Sequence, residues 1–411
     1  MRWFIVPLFA CFRLFAQPAP QDDLLERIRL QMLRNLQEEP NYTCTETIER
    51  YYRSSPARKF QLQDTLRLEV ALVEGKEMYA FPGAKKFDAV PLNEMVGDTG
   101  AISNGDFALH ARSVFGTRGA TFEYKGTGSD AGRNWVRFDY DVALQVSHFE
   151  LKHGSNRALT AYHGSFDADP STLDLQRLTV VAEDIPSVIG FKKAVKELSF
   201  ARIKIGDGTF LLPAESELKI TELSNAENLN RSKFSGCRQF AGESTLTFDD
   251  PSAAPAAPAV IEEVTLPDKI ELALALSDTI DSRNVAIGDP VTARMIGDAK
   301  FKSRTVVPKG AIARGRVTRA DRHTDCGTLG AERHADCLIL GIELMEIEWP
   351  GAHAVLHADL DRIPQITGGR RLFTMSTQRQ HEGLMPLTST QSTLPRGFLM
   401  IWTTAPQNVQ H

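Results

Sequence analysis

From Tyr42 onward, the chain repeats short segments in which apolar and polar residues alternate. Alternation with a period of two is typical of β-strands with one buried face, so this pattern limits the first half of the chain to a fold rich in antiparallel sheet. Glycine-containing turns such as Glu74-Gly75 and Gly206-Asp207-Gly208 separate the segments. The predicted strands are Thr65–Val73, Thr121–Lys125, Asn134–Tyr140, Val146–Lys152, Arg157–His163, Leu175–Ala182, Ala194–Ile205 and Glu215–Glu222.

A helix is predicted ahead of these strands, over residues 22–39. Asp22 and Asp23 supply an N-cap and a favourable charge at the positive end of the helix dipole. A second helix is predicted over Asp106–Phe115. The first part of the chain is therefore predicted to be an α+β domain, with an N-terminal helix on a large curved antiparallel sheet. The apolar stripe of the first helix, at three- and four-residue spacing, is Leu25, Ile28, Met32 and Leu36.

A segment rich in Pro and Ala, PSAAPAAPA at residues 251–259, divides the chain. Such a stretch cannot bury a core and behaves as a semi-extended linker. We predict a first domain over residues 17–250, a linker over 251–264 and a second domain over 265–411. The second domain is predicted to be all-β, as a small barrel or sandwich. Its predicted strands are Leu266–Leu276, Pro290–Ile296, Thr305–Arg319, Cys337–Trp349, His353–Leu360 and Gly397–Thr403.

The first 16 residues, MRWFIVPLFACFRLFA, predict a secretory signal peptide. Their apolar run is much shorter than the roughly 20 residues that a membrane-spanning helix needs, so no integral membrane segment is expected after cleavage. An alternative is a lipoprotein signal in which Cys11 is acylated. The formal net charge of −5 argues against nucleic acid and against anionic membranes as partners.

Four cysteines remain after removal of the leader, and an even number in an exported protein favours two disulfides. Cys44 and Cys237 would join the strand after the first helix to the last strand of the same domain. Cys326 and Cys337 would close the connection between two strands of the second domain.

The pattern Arg-His-x-Asp-Cys occurs twice in this connection, at residues 322–326 and 333–337. Besides the disulfide, two interpretations stay open: unpaired thiols in a mobile loop, and a metal site. Imidazole and thiolate ligands suit zinc, and the two-residue spacing within each His-x-x-Cys is found in structural zinc sites. The candidate metal ligands are His323, Cys326, His334 and Cys337.

Other polar patterns do not predict a catalytic or cofactor-binding residue. His353, His357 and Asp359 share one face of a predicted strand, where a solvent-facing polar edge is the favoured interpretation. Ser165 lacks the strained G-x-S-x-G turn of a hydrolase nucleophile. The glycine-rich run from Gly126 to Gly132 lacks the Lys and helix of a phosphate-binding loop. We therefore predict no cofactor and no enzymatic activity.

The order of elements, and the run YHGSFDADPSTLDLQRL from Tyr162 to Leu178, resemble the half-barrel of the LolA and RseB lipoprotein-carrier and sensor families. In those families the concave sheet and its helices enclose an apolar cavity for acyl chains. The resemblance thus implies a binding surface for a lipid or lipoprotein. No residue of this chain matches a defined ligand contact of those families.

Three segments between residues 285 and 351 resemble the small β-barrel module of TrbI-like conjugation-channel proteins. They are VAIGDPVTARM, VVPKGAIARGRV and LGIELMEIEWPG. The sequence as a whole predicts an exported, non-enzymatic protein of the bacterial cell envelope or periplasm. It would bind an apolar or lipoprotein ligand in the first domain and dock on another envelope protein through the second. The alternatives are a purely structural interaction module, and a metal-assisted hydrolase that uses residues between His323 and Asp359.

Overall fold

The computed structural model describes residues 20–84, 87, 109–116, 119–130, 132–147, 149–240, 262–323, 328–329, 332–333, 336–364, 378–388 and 392–406. The chain is mainly β-sheet, with helix α1 (Pro20–Glu38) and helix α2 (Leu109–Gly116). A helix, a large curved antiparallel sheet and a following all-β part confirm the predicted fold class. The predicted leader and most of the predicted linker lie outside the described residues, so the domain boundaries stay predictions.

Ten strands form the first sheet, and every pair of neighbours is antiparallel. The strands of this part are β1 (Tyr42–Arg53), β2 (Gln61–Val73), β3 (Lys76–Ala80), β4 (Ala120–Asp130), β5 (Arg133–Val142), β6 (Glu150–His153), β7 (Asn156–Leu159), β8 (Tyr162–Ala168), β9 (Leu175–Ala182), β10 (Phe191–Ile205), β11 (Gly208–Glu222) and β12 (Glu227–Gln239). Their order is β3-β2-β1-β12-β11-β10-β9-β8-β5-β4, while β6 and β7 form a separate hairpin.

Two predicted strands of this half include residues that are not in a strand of the structure. The predicted strand Arg157–His163 was wrong, because β7 ends at Leu159 and β8 begins at Tyr162. Between them the Thr160 amide donates to the Phe149 carbonyl, 3.0 Å away, as the chain leaves the hairpin for the main sheet. The predicted strand Val146–Lys152 begins with a turn of 3₁₀ helix, and extended structure starts only at Glu150.

One face of the first sheet, called the inner face here, carries most of its buried side chains. Side chains directly opposite each other on neighbouring strands lie on the same face of a sheet. Ile48 is opposite both Leu66 and Ser232, and Ser232 is opposite Ser216, so all four belong to the inner face. Helix α1 lies against this face through its apolar stripe, and the residues predicted for that stripe are buried or half-buried. The helix therefore forms on this side because its stripe and the inner face bury one another.

The second part of the chain is built on a sheet of nine strands. The strands of this part are β13 (Glu262–Glu263), β14 (Glu271–Leu276), β15 (Ile280–Asp281), β16 (Pro290–Met295), β17 (Ala299–Phe301), β18 (Arg304–Val307), β19 (Ile312–His323), β20 (Thr328–Leu329), β21 (Glu332–Arg333), β22 (Cys337–Trp349), β23 (Ala352–Val355), β24 (Ala358–Arg362), β25 (Gly383–Thr388), β26 (Thr393–Leu394) and β27 (Leu399–Thr404). The order is β13-β23-β22-β19-β16-β14-β27-β24, and β25 also pairs with β22.

The path of the second sheet bends back on itself. Gly383 of β25 lies so close to Leu360 of β24 and Trp402 of β27 that a Cβ atom there would come within 2.7 Å of both side chains. The end of the path therefore approaches the central strand β22 from the other side, as in a small barrel. Gly383 is required at this point because any side chain would collide with the Trp402 ring.

Three predicted strands of this half were also wrong in extent. The predicted strand Thr305–Arg319 is divided into β18 and β19, because Pro308 to Gly310 form a turn in which Gly310 has a φ of 89°. The predicted strand His353–Leu360 is divided into β23 and β24. Strand β14 begins at Glu271 rather than at Leu266.

Backbone hydrogen bonds join the two sheets. The Arg67 amide donates to the Ile287 carbonyl at 2.8 Å, and the Ile287 amide donates to the Thr65 carbonyl at 2.7 Å. Arg67 also forms an ion pair with Asp289. One apolar cluster contains residues of β1, β2 and the second sheet together. The two sheets are thus held in one arrangement by shared burial as well as by these bonds.

Candidate functional site

The space between the helices and the inner face is filled with aromatic rings, and we call this cluster the aromatic interior. The ring centres of Phe115 and Phe166 are 5.1 Å apart, and those of Phe138 and Phe166 are 5.4 Å apart. These are the distances of favourable offset and edge-to-face contacts. The members of the aromatic interior are Phe115, Phe122, Phe138, Tyr140, Phe149, Tyr162 and Phe166.

A close backbone approach accommodates one of these rings. The Tyr140 hydroxyl donates to the Thr179 carbonyl at 2.7 Å, across the position of Gly164 on β8. A Cβ atom at Gly164 would lie 1.9 Å from that carbonyl oxygen and 2.9 Å from the Tyr140 hydroxyl. Glycine is therefore required for Tyr140 to satisfy its polar end inside an apolar cluster.

Helices α1 and α2 cover the aromatic interior and are tied to each other by an ion pair. The Arg112 Nη2 atom donates to the Leu36 carbonyl at 2.9 Å and to the Glu39 carboxylate at 2.8 Å. Burial raises the pKa of Glu39 to about 7, although the nearby Arg112 cation opposes this shift. The end of α1 and the middle of α2 are therefore linked, and we call the two helices together the helical cover.

His110 of α2 is buried beside the aromatic interior. Its ring centre is 5.6 Å from that of Phe149, and its Nε2 atom has no hydrogen-bond partner in the described part of the chain. Burial lowers the pKa of His110 to about 4. The helical cover therefore contains a neutral imidazole. Its buried position disfavours the protonated form for as long as α2 stays in place.

A row of buried polar side chains crosses the inner face next to the aromatic interior. Arg50 and Asp64 form a two-bond ion pair, with both N–O distances at 2.6 Å. Glu46 and Lys196 are both buried, and each charge acts on the other. Burial raises the pKa of Glu46 to about 7 and lowers that of Lys196 to about 7. Sequence reasoning missed this row, although a charged residue at an inward position of an alternating strand is its signal.

The predicted disulfide between Cys44 and Cys237 is confirmed. The two residues lie on neighbouring strands β1 and β12, and their Cα atoms are 4.1 Å apart. The bond lies at the irregularity of register between Thr43 and Thr45. It closes a loop that contains nearly the whole first part of the chain, which is the arrangement in which a crosslink restricts the unfolded chain most.

The structure places His323 and Cys337 opposite each other at the ends of β19 and β22. Both line a cleft of about 380 Å³ that also includes Gln61, Arg322 and Asp336. Cys337 is disulfide-bonded. Cys326 and His334 lie outside the described residues, so the predicted Cys326–Cys337 pairing stays a prediction. A disulfide-bonded Cys337 offers no thiolate to a metal, so the described residues do not support the alternative metal site. Within the described ranges, no group of three or more His, Cys, Asp or Glu side chains is arranged around one metal position.

The residues proposed for a hydrolase are not brought together among the described residues. His323 lines the cleft of about 380 Å³, whereas His357 lines a different pocket of about 140 Å³, and the two share no lining residue. Asp359 instead contacts His381, with 3.1 Å between its Oδ1 atom and the His381 Nδ1 atom. Nothing in the sequence indicates that His381 lies here.

Comparisons with known proteins give a similarity to a solved structure. No family model matches the chain, and no curated protein matches it. The structure is similar to that of the LolA superfamily protein NE2245 from Nitrosomonas europaea, at 10% sequence identity and a TM-score of 0.29. The similarity covers 54% of this chain and 98% of that chain. At this TM-score it carries no conclusion about function, and it does not extend to the TrbI-like resemblance, which stays a prediction.

Among the described residues, neither helix combines the length and the apolar character that crossing a bilayer requires.

Proposed function

We propose that this chain is an exported, non-enzymatic binding protein that holds an acyl chain, free or attached to a lipoprotein, between the helical cover and the inner face of the first sheet. The observation that carries this proposal is the aromatic interior. Six of its rings come from the sheet and its connections and pack with the two helices, and the seventh, Phe115, comes from α2 itself. An apolar surface that one small layer covers can be exposed to a ligand by movement of that layer alone.

The contacts of the helical cover are consistent with such a movement. The cover meets the sheet through side chains, with polar contacts from Ser113 to Tyr162 and from Arg202 to Asn35. The Arg112–Glu39 ion pair joins α1 to α2. In this structure the aromatic interior is filled by its own side chains, so a ligand enters as the two helices move outward together.

The Cys44–Cys237 disulfide supports export, because disulfides persist in oxidising compartments and are rare in the cytosol. The periplasm or cell envelope of a bacterium is the compartment that we propose. In that setting the second sheet would dock on another envelope protein, and the contacts around Leu66 and Ile287 would fix the orientation of the binding domain relative to it.

Binding can be tested with the intact chain, purified without denaturation and extracted for lipid. Mass spectrometry should detect acyl material at about one molecule per chain, and a fluorescent fatty acid should bind saturably to the delipidated protein. Leu25→Lys places a charge where Leu25 borders the aromatic interior, and it should weaken the fluorescent fatty acid by about tenfold or more, equivalent to about 1.4 kcal/mol.

Leu30→Lys is the matched control, since Leu30 lies on the same helix with 49% of its surface exposed. It should leave the affinity unchanged. Absence of acyl material together with absence of saturable binding would contradict the proposal.

The second candidate function is a structural interaction module. The observations that favour it are the filled aromatic interior and the backbone bridge that holds the two sheets together. In this case the protein positions partners and binds no lipid. Recovery of a stable protein partner by a chain that carries Leu25→Lys, with no acyl material in the wild type, would favour this alternative.

A further inference from the structure

Two histidines and an aspartate meet at the surface of the second sheet, away from the helical cover. His357 lies between β23 and β24, Asp359 lies on β24, and His381 lies in the turn before β25. The pairing of β25 with β22, and of β24 with β27, brings these separate segments together. Neither the proposed acyl site nor the disulfides use these residues.

The two imidazole rings have a spacing that suits one shared ion. Their centres are 5.4 Å apart and their planes are inclined by 57°. Two imidazoles bound to one tetrahedral zinc ion also have ring centres about 5 Å apart, because each Zn–N bond is about 2 Å long. The spacing of the rings therefore matches that of two imidazoles bound to one metal ion.

Asp359 orients one of the two rings. Its Oδ1 atom is 3.1 Å from the His381 Nδ1 atom, so Nε2 is the nitrogen of His381 that does not contact Asp359. A carboxylate that accepts the Nδ1 proton of a histidine fixes the tautomer in which Nε2 can bind a metal. Asp359 remains 64% exposed, so solvent reaches the cluster from its side.

The turn that carries His381 is held firmly. His381 has a φ of 60°, a conformation that few residues with side chains adopt. The buried carboxylate of Glu382 accepts bonds from the Arg379 amide at 3.0 Å and from the Thr318 hydroxyl at 2.8 Å. Backbone strain maintained by a buried network is typical of positions that hold a side chain for a purpose.

We propose that His357 and His381 bind a divalent transition-metal ion of the zinc type, with Asp359 as the residue that orients His381. The described residues offer no third protein ligand at this position. In this proposal water supplies the remaining ligands. His357 also lines the pocket of about 140 Å³, which has room for such water.

The test uses isothermal titration of zinc chloride into the full chain, purified without a histidine tag and treated with a chelator. One ion per chain should bind saturably. His357→Asn and His381→Asn should each abolish this binding, and asparagine is chosen at 381 because it tolerates a positive φ. Circular dichroism checks that both variants are folded.

Asp359→Asn tests the orienting role, because it retains both imidazoles. It should weaken zinc by roughly 10- to 100-fold, the range for loss of such a partner. The matched control is Asp361→Asn, an exposed carboxylate two residues away that pairs with Arg362. His323→Asn is the second control, and it reports on the Cys326 region. Absence of zinc binding, binding that survives His381→Asn, or binding lost with His323→Asn alone would overturn the proposal.

Discussion

Arg112 and Glu39 form an ion pair, 2.8 Å between Nη2 and Oε2, that links the second helix to the residue just beyond the first. The Glu39 side chain is 2% exposed, whereas that of Arg112 is 35% exposed. The carboxylate is therefore the buried partner, and its ionised form depends on the guanidinium beside it. This pair is the main polar connection within the helical cover among the described residues.

Removal of the cation should destabilise the helical cover. Arg112→Met leaves the Glu39 carboxylate buried without its partner, which should lower the free energy of unfolding by about 1–3 kcal/mol. Because the pKa of Glu39 is already about 7, the loss should be larger at pH 8, where the group is ionised, than at pH 6. Urea denaturation at the two pH values measures it. Arg34→Met, an exposed change on α1, is the control, and equal losses for both variants would contradict the assignment.

The buried imidazole of His110 predicts a loss of stability in acid. Its pKa is lowered from 6.5 to about 4, so its contribution is complete above pH 6.5 and is lost as the pH falls towards 4. The total effect is roughly 3 kcal/mol. His110→Leu should remove this part of the pH dependence. The difference in unfolding free energy between the two proteins should change by roughly 3 kcal/mol between pH 7 and pH 4, because only the wild type loses stability in acid, and parallel curves would show that His110 is not responsible.

The buried pair of Glu46 and Lys196 predicts strong coupling between two strands. Lys196→Met should lower the free energy of unfolding by about 1–3 kcal/mol at pH 7, because the buried Glu46 side chain then loses the amino group whose charge acts on it. The double variant with Glu46→Gln should recover part of this loss. A double-mutant cycle measured by urea denaturation gives the coupling. Lys192→Met, exposed on the same strand, should have little effect, and additivity of the two single changes would argue against the pair.

Replacement of Cys44 and Cys237 by alanine should lower the free energy of unfolding by about 5 kcal/mol, because the crosslink spans a sequence separation of 193 residues. Urea denaturation of the wild type and of the variant, with and without reductant, checks this value. Reductant should lower the unfolding free energy of the wild type more than that of the variant, which lacks this bond. Peptide mapping under non-reducing conditions should recover the Cys44–Cys237 peptide pair. A wild-type protein whose stability does not change on reduction would contradict the expected contribution.

Local patterns were sufficient to predict the elements of the fold. The stripe of α1 and the alternation of strands such as β2 and β9 depend on residues close in sequence, so their burial could be read directly. The predicted strand that included Thr160 failed for a different reason. Its interruption is caused by a hydrogen bond to Phe149 that exists only after the hairpin has folded onto the sheet.

The chemistry of the candidate sites depends on long-range pairing and was largely beyond sequence reasoning. The Cys44–Cys237 bond was predictable because compartment and cysteine number leave few pairings. His381 was not, since its distance from His357 is set by the pairing of four strands. Glu46 and Lys196 occupy the inward positions of their strands, a local signal that alternation analysis can detect but whose partners it cannot identify.

The backbone bridge from Thr65 and Arg67 to Ile287 occupies amide and carbonyl groups on the outer side of β2. Open groups of this kind on a sheet edge serve as a template on which another chain can add a strand. Separation of the two halves would uncover them. The second half of the chain therefore covers part of an edge of the first sheet that would otherwise be open to pairing with another strand.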